Sequence, residues 1–368
     1  MKVIHILHEL KFSGAEIMYV DAASLFQQKG CELFVLATAP DLGEYAPYFE
    51  QAGYQVLHKP YPALKNYISR LGYYYAFARF IKEKEIDVVH IHKSGCMWGI
   101  AFATWMAKKR SVYTFHNVFP SRKITYRYHC LLRWSVKKIF KCRFQTISDS
   151  VYEHELNYYQ NPTVKIYNWY SSNRFYPALI GEKEKVRKGL NISPKTVVLI
   201  SVGGCSRIKR HSDIIKALPL IISEISDCLY LHLGKGNSEY EEQKLSSELG
   251  METYIRFVGN QSDVRKYLIA SDIYLMTSIF EGISLTTIEA MACNIPAILY
   301  DVPGLRDFNK EKKCSILIEE DFTQLAESII FLHNNKEKQK ELTINAKQLV
   351  DSTFNMATNV SKIFELYQ

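Results

Sequence analysis

Two glutamates stand eight residues apart in the stretch EGISLTTIEAMACNIPAI, as Glu281 and Glu289, with Gly282 beside the first and an apolar run after the second. On one helix, residues at that spacing lie roughly 80° apart around the axis and about 12 Å apart along it. That is too far for the carboxylates to share a proton, so a single ligand engaging both must be long and bear hydroxyls at both ends. Gly282 lets backbone approach a ligand closely. The amides of Ile283, Ser284 and Leu285 open the helix, whose positive end favours phosphate. Thr286 and Glu289 also have the spacing of a capping box, in which Glu289 would only reach back to the start of its own helix. Both readings of Glu289 stand on the sequence.

A second group of chemical residues lies in SVGGCSRIKRH (201–211), which follows an apolar strand and so places Gly203 and Gly204 at a turn into a helix. From there Lys209 can reach back as a cation toward a diphosphate, and Arg207 offers a bidentate fork. Arg207, Lys209 and Arg210 can also be read as the solvated start of a helix. KFSGAE (11–16) is another glycine turn, with Gly14 and Ala15 at the first helix and Ser13 as its cap. His116 ends the strand-like VYTFH, where a site would lie. His90 and His92 could pass for a metal pair, but no cluster of acids or cysteines accompanies them, and they read as strand residues. The chain has no D-x-D triplet to hold a divalent metal on a diphosphate and no metal-spaced ligand set. No metal and no resident cofactor are therefore expected, and Lys209 with helix amides would neutralise a departing diphosphate. The absence of G-x-G-x-x-G argues against a nicotinamide oxidoreductase.

These residues need elements to hold them. Short apolar runs at 2–10, 31–38, 55–60, 87–92, 111–116 and 143–148 read as strands separated by helical patterns. The same grammar returns at 196–204, 229–236, 254–259, 273–278, 297–302 and 315–320. Alternation of this kind predicts parallel βαβ units, hence two open, doubly wound sheets. KIYNWYSSNRFYP (165–177) reads as the linker. The expected domains are 1–168, 169–353, and a C-terminal helix over 354–368 that packs back on the first. In open α/β sheets, ligands bind beyond the carboxyl ends of the strands. The α/β architecture expected is thus two Rossmann-like domains facing a central cleft.

A chain of 368 residues is too long for one ordinary core, and 47% hydrophobic with 23% charged residues is the balance of a soluble globular protein. Eight scattered cysteines without a CxxC pair read as reduced thiols of a cytoplasmic protein. MKVIHILHEL is too short in its apolar part for a signal peptide, and MWGIAFATWMA (97–107) is too short to span a bilayer. Residues 1–168 carry 22 Lys and Arg against 13 Asp and Glu, whereas 169–368 carry 24 against 25. The basic excess concentrates in 121–143, with eight basic residues, no acid, and Tyr126, Tyr128, Leu131, Leu132, Trp134, Ile139 and Phe140 interleaved. That mixture fits an interfacial segment on anionic lipid better than a nucleic-acid patch. The expected location is cytoplasmic, peripheral at the inner face of the membrane.

In this order, the stretches SGAE, TFHN, IYN, VGGCSRIKRH, LGKG, RFVGNQSDV, ASDIYLMTS and EGISLTTIEAMACNIPAI resemble glycosyltransferase family 4, retaining enzymes of the GT-B fold. The resemblance covers nearly the whole chain. It implies a nucleotide-diphosphate sugar, with a UDP-sugar the first expectation, as donor and co-substrate, and a glycan or lipid-linked glycan acceptor in surface polysaccharide synthesis. It implies that Glu281 holds hydroxyls of the donor sugar and Glu289 the nucleotide ribose, with Lys209 on the diphosphate. It places the Gly14 and Ala15 amides near the diphosphate or the acceptor, and His116 against the transferred sugar. The family pattern has an arginine directly after the first glycine of the 201–211 turn. Here that position is Gly204, and Arg207 is the candidate replacement. A sugar-nucleotide epimerase of the same architecture and a non-catalytic scaffold are the alternatives, although a scaffold would not need the phosphate lysine.

Overall fold

The computed structural model describes residues 1–62, 67–118 and 123–368, with the side chains of residues 67 and 123 left aside. Two compact units form: Met1–Ser171 with Met356–Gln368, and Ser172–Asn355. Strands in the first are β1 (Lys2–Leu7), β2 (Glu32–Ala37), β3 (Gln55–His58), β4 (Val88–Ile91), β5 (Arg110–Phe115), β6 (Arg143–Thr146) and β7 (Val164–Lys165). They hydrogen-bond in the order β3-β2-β1-β4-β5-β6-β7, and every recorded pairing is parallel. The second unit holds β8 (Val197–Val202), β9 (Cys228–Leu233), β10 (Ile255–Gly259), β11 (Ile273–Met276), β12 (Ala297–Tyr300) and β13 (Ile316–Ile318), ordered β10-β9-β8-β11-β12-β13 and again parallel.

Every strand expected from the sequence is present. Only β7 escaped, because two residues carry no periodicity to read. The central strands are buried along their length, as VVLISV in β8 and CLYLHL in β9 illustrate. Helices cover both faces of such a sheet, so its strands read as continuous apolar runs rather than alternating ones.

Strand order reverses between β1 and β4 in the first unit and between β8 and β11 in the second. These switch points place the ends of β1, β4 and β5 beside one another, and likewise those of β8 and β11. Residues 11–16, His92 and His116 follow the first set; residues 203–211 and 278–284 follow the second.

The C-terminal helix Met356–Tyr367 belongs to the first unit. Tyr367 is fully buried there, and its hydroxyl meets His90 Nδ1 at 2.7 Å. Arg143 Nη1 donates to the carbonyl of Leu366 at 2.7 Å, and Arg110 Nη1 to that of Tyr367 at 2.9 Å. Two arginines thus satisfy carbonyls that the end of any helix leaves open.

Seven of the cysteines are buried and Cys130 is half-buried, all as free thiols. Among the described residues no helix is long and apolar enough to cross a membrane.

Candidate functional site

In the second unit the turn after β8 and the loop after β11 meet. Lys209 Nζ lies 2.5 Å from Glu281 Oε1, with the two side chains 24% and 14% exposed. Backbone bonds hold both partners. Ile279 N donates to Ile208 O at 2.9 Å, and Glu281 N to Pro303 O at 3.1 Å. The Thr277 hydroxyl donates to the carbonyl of Lys209 at 2.8 Å. Gly304, at φ +81°, lies against Glu281, and a Cβ there would stand 2.4 Å from the Glu281 carbonyl oxygen. Glycine is therefore needed at 304 on two counts.

The glycines of the 201–211 turn have a structural task as well. Gly234 (φ +140°) and Gly236 pass so close to the backbone of Gly203 and Cys205 that a Cβ on either would stand 1.9 or 2.2 Å from a carbonyl oxygen. A Cβ at Gly203 would touch the Lys209 stem at 3.4 Å. The LGKG loop thus packs on VGGC and supports the lysine from behind.

Three sequence expectations for 281–289 change. The helix runs Leu285–Ala292, so Glu281 precedes it in the loop, and the two carboxylates do not share a helix. Its N-cap is Ser284, whose hydroxyl accepts from Thr287 N at 3.2 Å. Thr286 instead bonds the Tyr274 hydroxyl at 2.8 Å and donates to the Val202 carbonyl at 3.1 Å. The capping-box reading of Thr286 and Glu289 is thereby overturned, because the serine two residues earlier has the cap position. The amides that open the helix are those of Leu285 and Thr286, and Ile283 and Ser284 stand before it. Gly282 is buried and Glu289 half-buried.

Arg207 is exposed. With Arg210, Lys216 and Lys244 it lines a depression of about 470 Å³. Arg210 is tied to Asp213 at 2.9 Å and Glu320 at 2.6 Å. Behind the turn, Glu242 is buried with His232 Nε2 at 2.9 Å and His211 Nδ1 at 3.7 Å. Cys205 Sγ is 3.9 Å from the same His232 nitrogen. Their ligating atoms all lie within 4.8 Å of one another, as do those of His5, His90 and His92. Glu242 and His232 join Cys205 and His211 from other elements, and His5 joins the H-x-H pair from another strand, so sequence spacing does not show either full group.

In the first unit, Gly14 and Ala15 open the helix Gly14–Asp21, and Ser13 occupies its N-cap position. The expected cap bond is absent: the Ser13 hydroxyl donates to the Glu16 carboxylate instead. Burial raises the Glu16 pKa, opposed by that serine bond. The sequence reading passed over this carboxyl group, although SGAE displays it.

His116 is half-buried directly after β5, with Nε2 3.1 Å from His92 Nδ1. Burial lowers its pKa to about 4, so the ring is neutral at pH 7. His92, expected only as a strand residue, follows β4 directly. The H-x-H spacing puts His90 and His92 on one side of a strand, but only the neighbouring strands show what they face.

The basic stretch divides on inspection. Ser121 and Arg122 lie outside the described residues. Arg133 makes two 2.8 Å bonds to buried Glu155 and stacks 3.5 Å above the Tyr159 ring. Lys137 donates to the Pro162 carbonyl, and Arg143 to the C-terminal helix. Phe140 and Val136 are buried, so Phe140 is a core residue and not part of an apolar surface. What remains outward are Arg127, Lys138 and Lys141 with Ile124, Tyr128, Leu131, Trp134 and Ile139.

Two family models match the chain side by side. One, described as Glycosyltransferase Family 4, covers residues 12–174, and the other, Glycosyl transferases group 1, covers residues 182–349. The chain belongs to the family-4 glycosyltransferases. Among curated relatives, it is 22% identical over its whole length, and over 98% of the relative, to the capsular polysaccharide biosynthesis glycosyltransferase CapH of Staphylococcus aureus. It is 24% identical, over 78% of this chain and 77% of that enzyme, to an Escherichia coli UDP-Gal:alpha-D-GlcNAc-diphosphoundecaprenol alpha-1,3-galactosyltransferase. The N-acetyl-alpha-D-glucosaminyl L-malate synthase of Bacillus anthracis matches at 26% identity over 58% of this chain and 55% of its own length. Among solved structures, Anabaena HepE in complex with UDP and glucose superposes with a TM-score of 0.84 at 18% identity, over 99% of this chain and 98% of that one. A family-4 glycosyltransferase of two such parallel α/β units has the GT-B fold.

Proposed function

We propose that this glycosyltransferase moves a sugar from a UDP-sugar to a glycan or lipid-linked glycan acceptor in surface polysaccharide synthesis, with retention at the anomeric carbon and without a metal ion. The observation that carries the reading is the Lys209–Glu281 pair, a cation and a carboxylate held at adjoining strand ends by backbone bonds. Support for the donor comes from HepE, solved with UDP and glucose, and from the E. coli relative named for UDP-Gal. CapH and that same relative, whose name carries a diphosphoundecaprenol acceptor, support the acceptor class.

In this mechanism Lys209 and the Leu285 and Thr286 amides take the charge that develops on the departing diphosphate. Glu281 receives hydroxyls of the donor sugar, Glu289 those of the ribose, and His116 contacts the transferred sugar. Gly14 and Ala15 offer amides to the diphosphate or acceptor, and Arg207 is the remaining cation for phosphate. The bond from the anomeric carbon to the diphosphate oxygen breaks. The acceptor oxygen bonds to that carbon on the same face, and its proton passes to the departing diphosphate. No resident cofactor takes part. The exposed basic and apolar residues of 124–141 hold the enzyme on anionic lipid at the cytoplasmic face of the membrane.

Thermal-shift titration with UDP-, GDP- and ADP-sugars tests the donor, because a ligand that binds only the folded state raises its melting point. A rise with UDP-sugars and formation of an α-linked product from an α-linked donor are expected. No shift with any nucleotide sugar would overturn the assignment.

A further inference from the structure

Behind His116 runs a line of three imidazoles. His116 Nε2 is 3.1 Å from His92 Nδ1, and His92 Nε2 is 3.1 Å from His5 Nδ1. Each neutral ring carries one N–H, so the protons along this line must all run in one direction. If they run toward His5, the line ends on an N–H at His5 Nε2. That atom is buried without a hydrogen-bond partner, among the rings of Tyr19, Phe26 and Tyr54. If they run toward His116, the same atom is a bare lone pair. A buried orphan N–H is the rarer of the two in folded proteins.

The adjacent His90 cannot supply the missing partner, because both of its nitrogens are engaged. Gln145 Nε2 donates to the Ile166 carbonyl at 3.2 Å, which turns Gln145 Oε1 toward the Thr114 hydroxyl, 2.7 Å away. Thr114 donates to that oxygen and so accepts from His90 Nε2–H at 2.7 Å. His90 Nδ1 then accepts from the Tyr367 hydroxyl.

We propose that His92 is a positioning residue for His116: with His5 behind it, it donates Nδ1–H to His116 Nε2 and holds His116 as the Nδ1–H tautomer, a hydrogen-bond donor for an oxygen of the sugar substrate. Nδ1 is the nitrogen that His92 leaves open. Burial keeps the line neutral, with His5 pushed down to about 3, His116 to about 4, and His92 well below its ordinary value. Only the identity of the substrate oxygen rests on the transferase reading above. The tautomer is a property of the free protein.

The test is therefore made first without substrate. In histidine-¹⁵N-labelled protein at pH 7.5, two-bond proton–nitrogen correlations distinguish protonated from bare ring nitrogens. The His116 signals are assigned by their loss in His116→Gln. A protonated Nδ1 and bare Nε2 are expected at His116; a protonated Nε2 overturns the proposal. Transfer rates are read second. His92→Gln keeps an amide donor toward His116 and an oxygen toward His5, and is expected within about threefold of wild type. His92→Phe removes the donor and should lose about tenfold, the worth of one such hydrogen bond. Equal losses in both folded variants would overturn the positioning role. If His92→Phe does not fold, the wild-type spectrum decides. If the donor assignment is wrong, the spectrum is unaffected.

Discussion

Lys209 and Glu281, 72 residues apart in the chain, meet at 2.5 Å where the turn after β8 adjoins the loop after β11. Each is the other's ion-pair partner, so neither charge is left unmatched at this part-buried position. Lys209→Ala is expected to lower transfer at least about tenfold, since contacts to charged groups contribute roughly 1.5–3 kcal/mol. Partial exposure limits the pair's share of stability to about 1 kcal/mol or less. The melting point should thus change little, and near-normal rates in a folded mutant would remove Lys209 from the mechanism.

The two glutamates should separate by measurement. Glu281→Gln is expected to reduce transfer and sugar discrimination while UDP still binds. Glu289→Gln should weaken UDP itself by about tenfold, one charge-assisted bond to the ribose. Ser284 caps the helix, so loss of the Glu289 charge should not unravel it. Calorimetry with UDP decides, and unchanged affinity in the Glu289 variant would end the ribose assignment.

Transfer should persist in excess EDTA, because Lys209 and helix amides are proposed to neutralise the diphosphate. Loss of activity with recovery on adding magnesium or manganese would replace that account. A loss restored by zinc alone would point instead to the Cys205, His211, His232 and Glu242 cluster.

Acid should weaken the fold from about pH 6.5 downward. Burial holds His5 near 3 and His116 and His211 near 4, while an unfolded chain titrates near 6.5. Below pH 6.5 the unfolded state binds protons that these native rings refuse, so their contribution is intact above that pH and lost as pH falls toward 4. A drop of at least about 2 kcal/mol between pH 7 and pH 5 is expected from urea midpoints. Equal midpoints would mean that the imidazoles protonate without cost in the folded state.

Vesicle binding tests the membrane reading. Leu131 and Trp134 are 61% and 54% exposed beside outward Lys138 and Lys141. Each such cation contributes roughly 1 kcal/mol near an anionic surface, fading within a Debye length. Co-sedimentation with anionic vesicles at low salt is expected, reduced by added salt and by Lys138→Glu with Lys141→Glu. Neutral vesicles should bind poorly. Lys137 is a poor choice for this test because its ammonium is held at Pro162. Absence of wild-type binding would return the stretch to an ordinary solvated face.

By itself the sequence determined the parallel α/β units, since strands covered on both faces must read as continuous apolar runs, as β8 and β9 do. It also determined that the 203–211 and 278–284 stretches follow strands directly, because glycine turns after apolar runs are local signals. It could not decide which residue caps the helix after Glu281, since Ser284 and Thr286 are equally able caps until the backbone chooses where helical dihedrals begin. Nor could it show that Arg133 and Phe140 turn inward, because a charge spent on Glu155 looks the same in a sequence as one left in water. Tertiary structure alone decided the Lys209–Glu281 pair and the His5–His92–His116 line, whose members come from separate strands and loops. Their contacts depend on strand order and on the register between strands, and neither leaves a trace in local residue spacing.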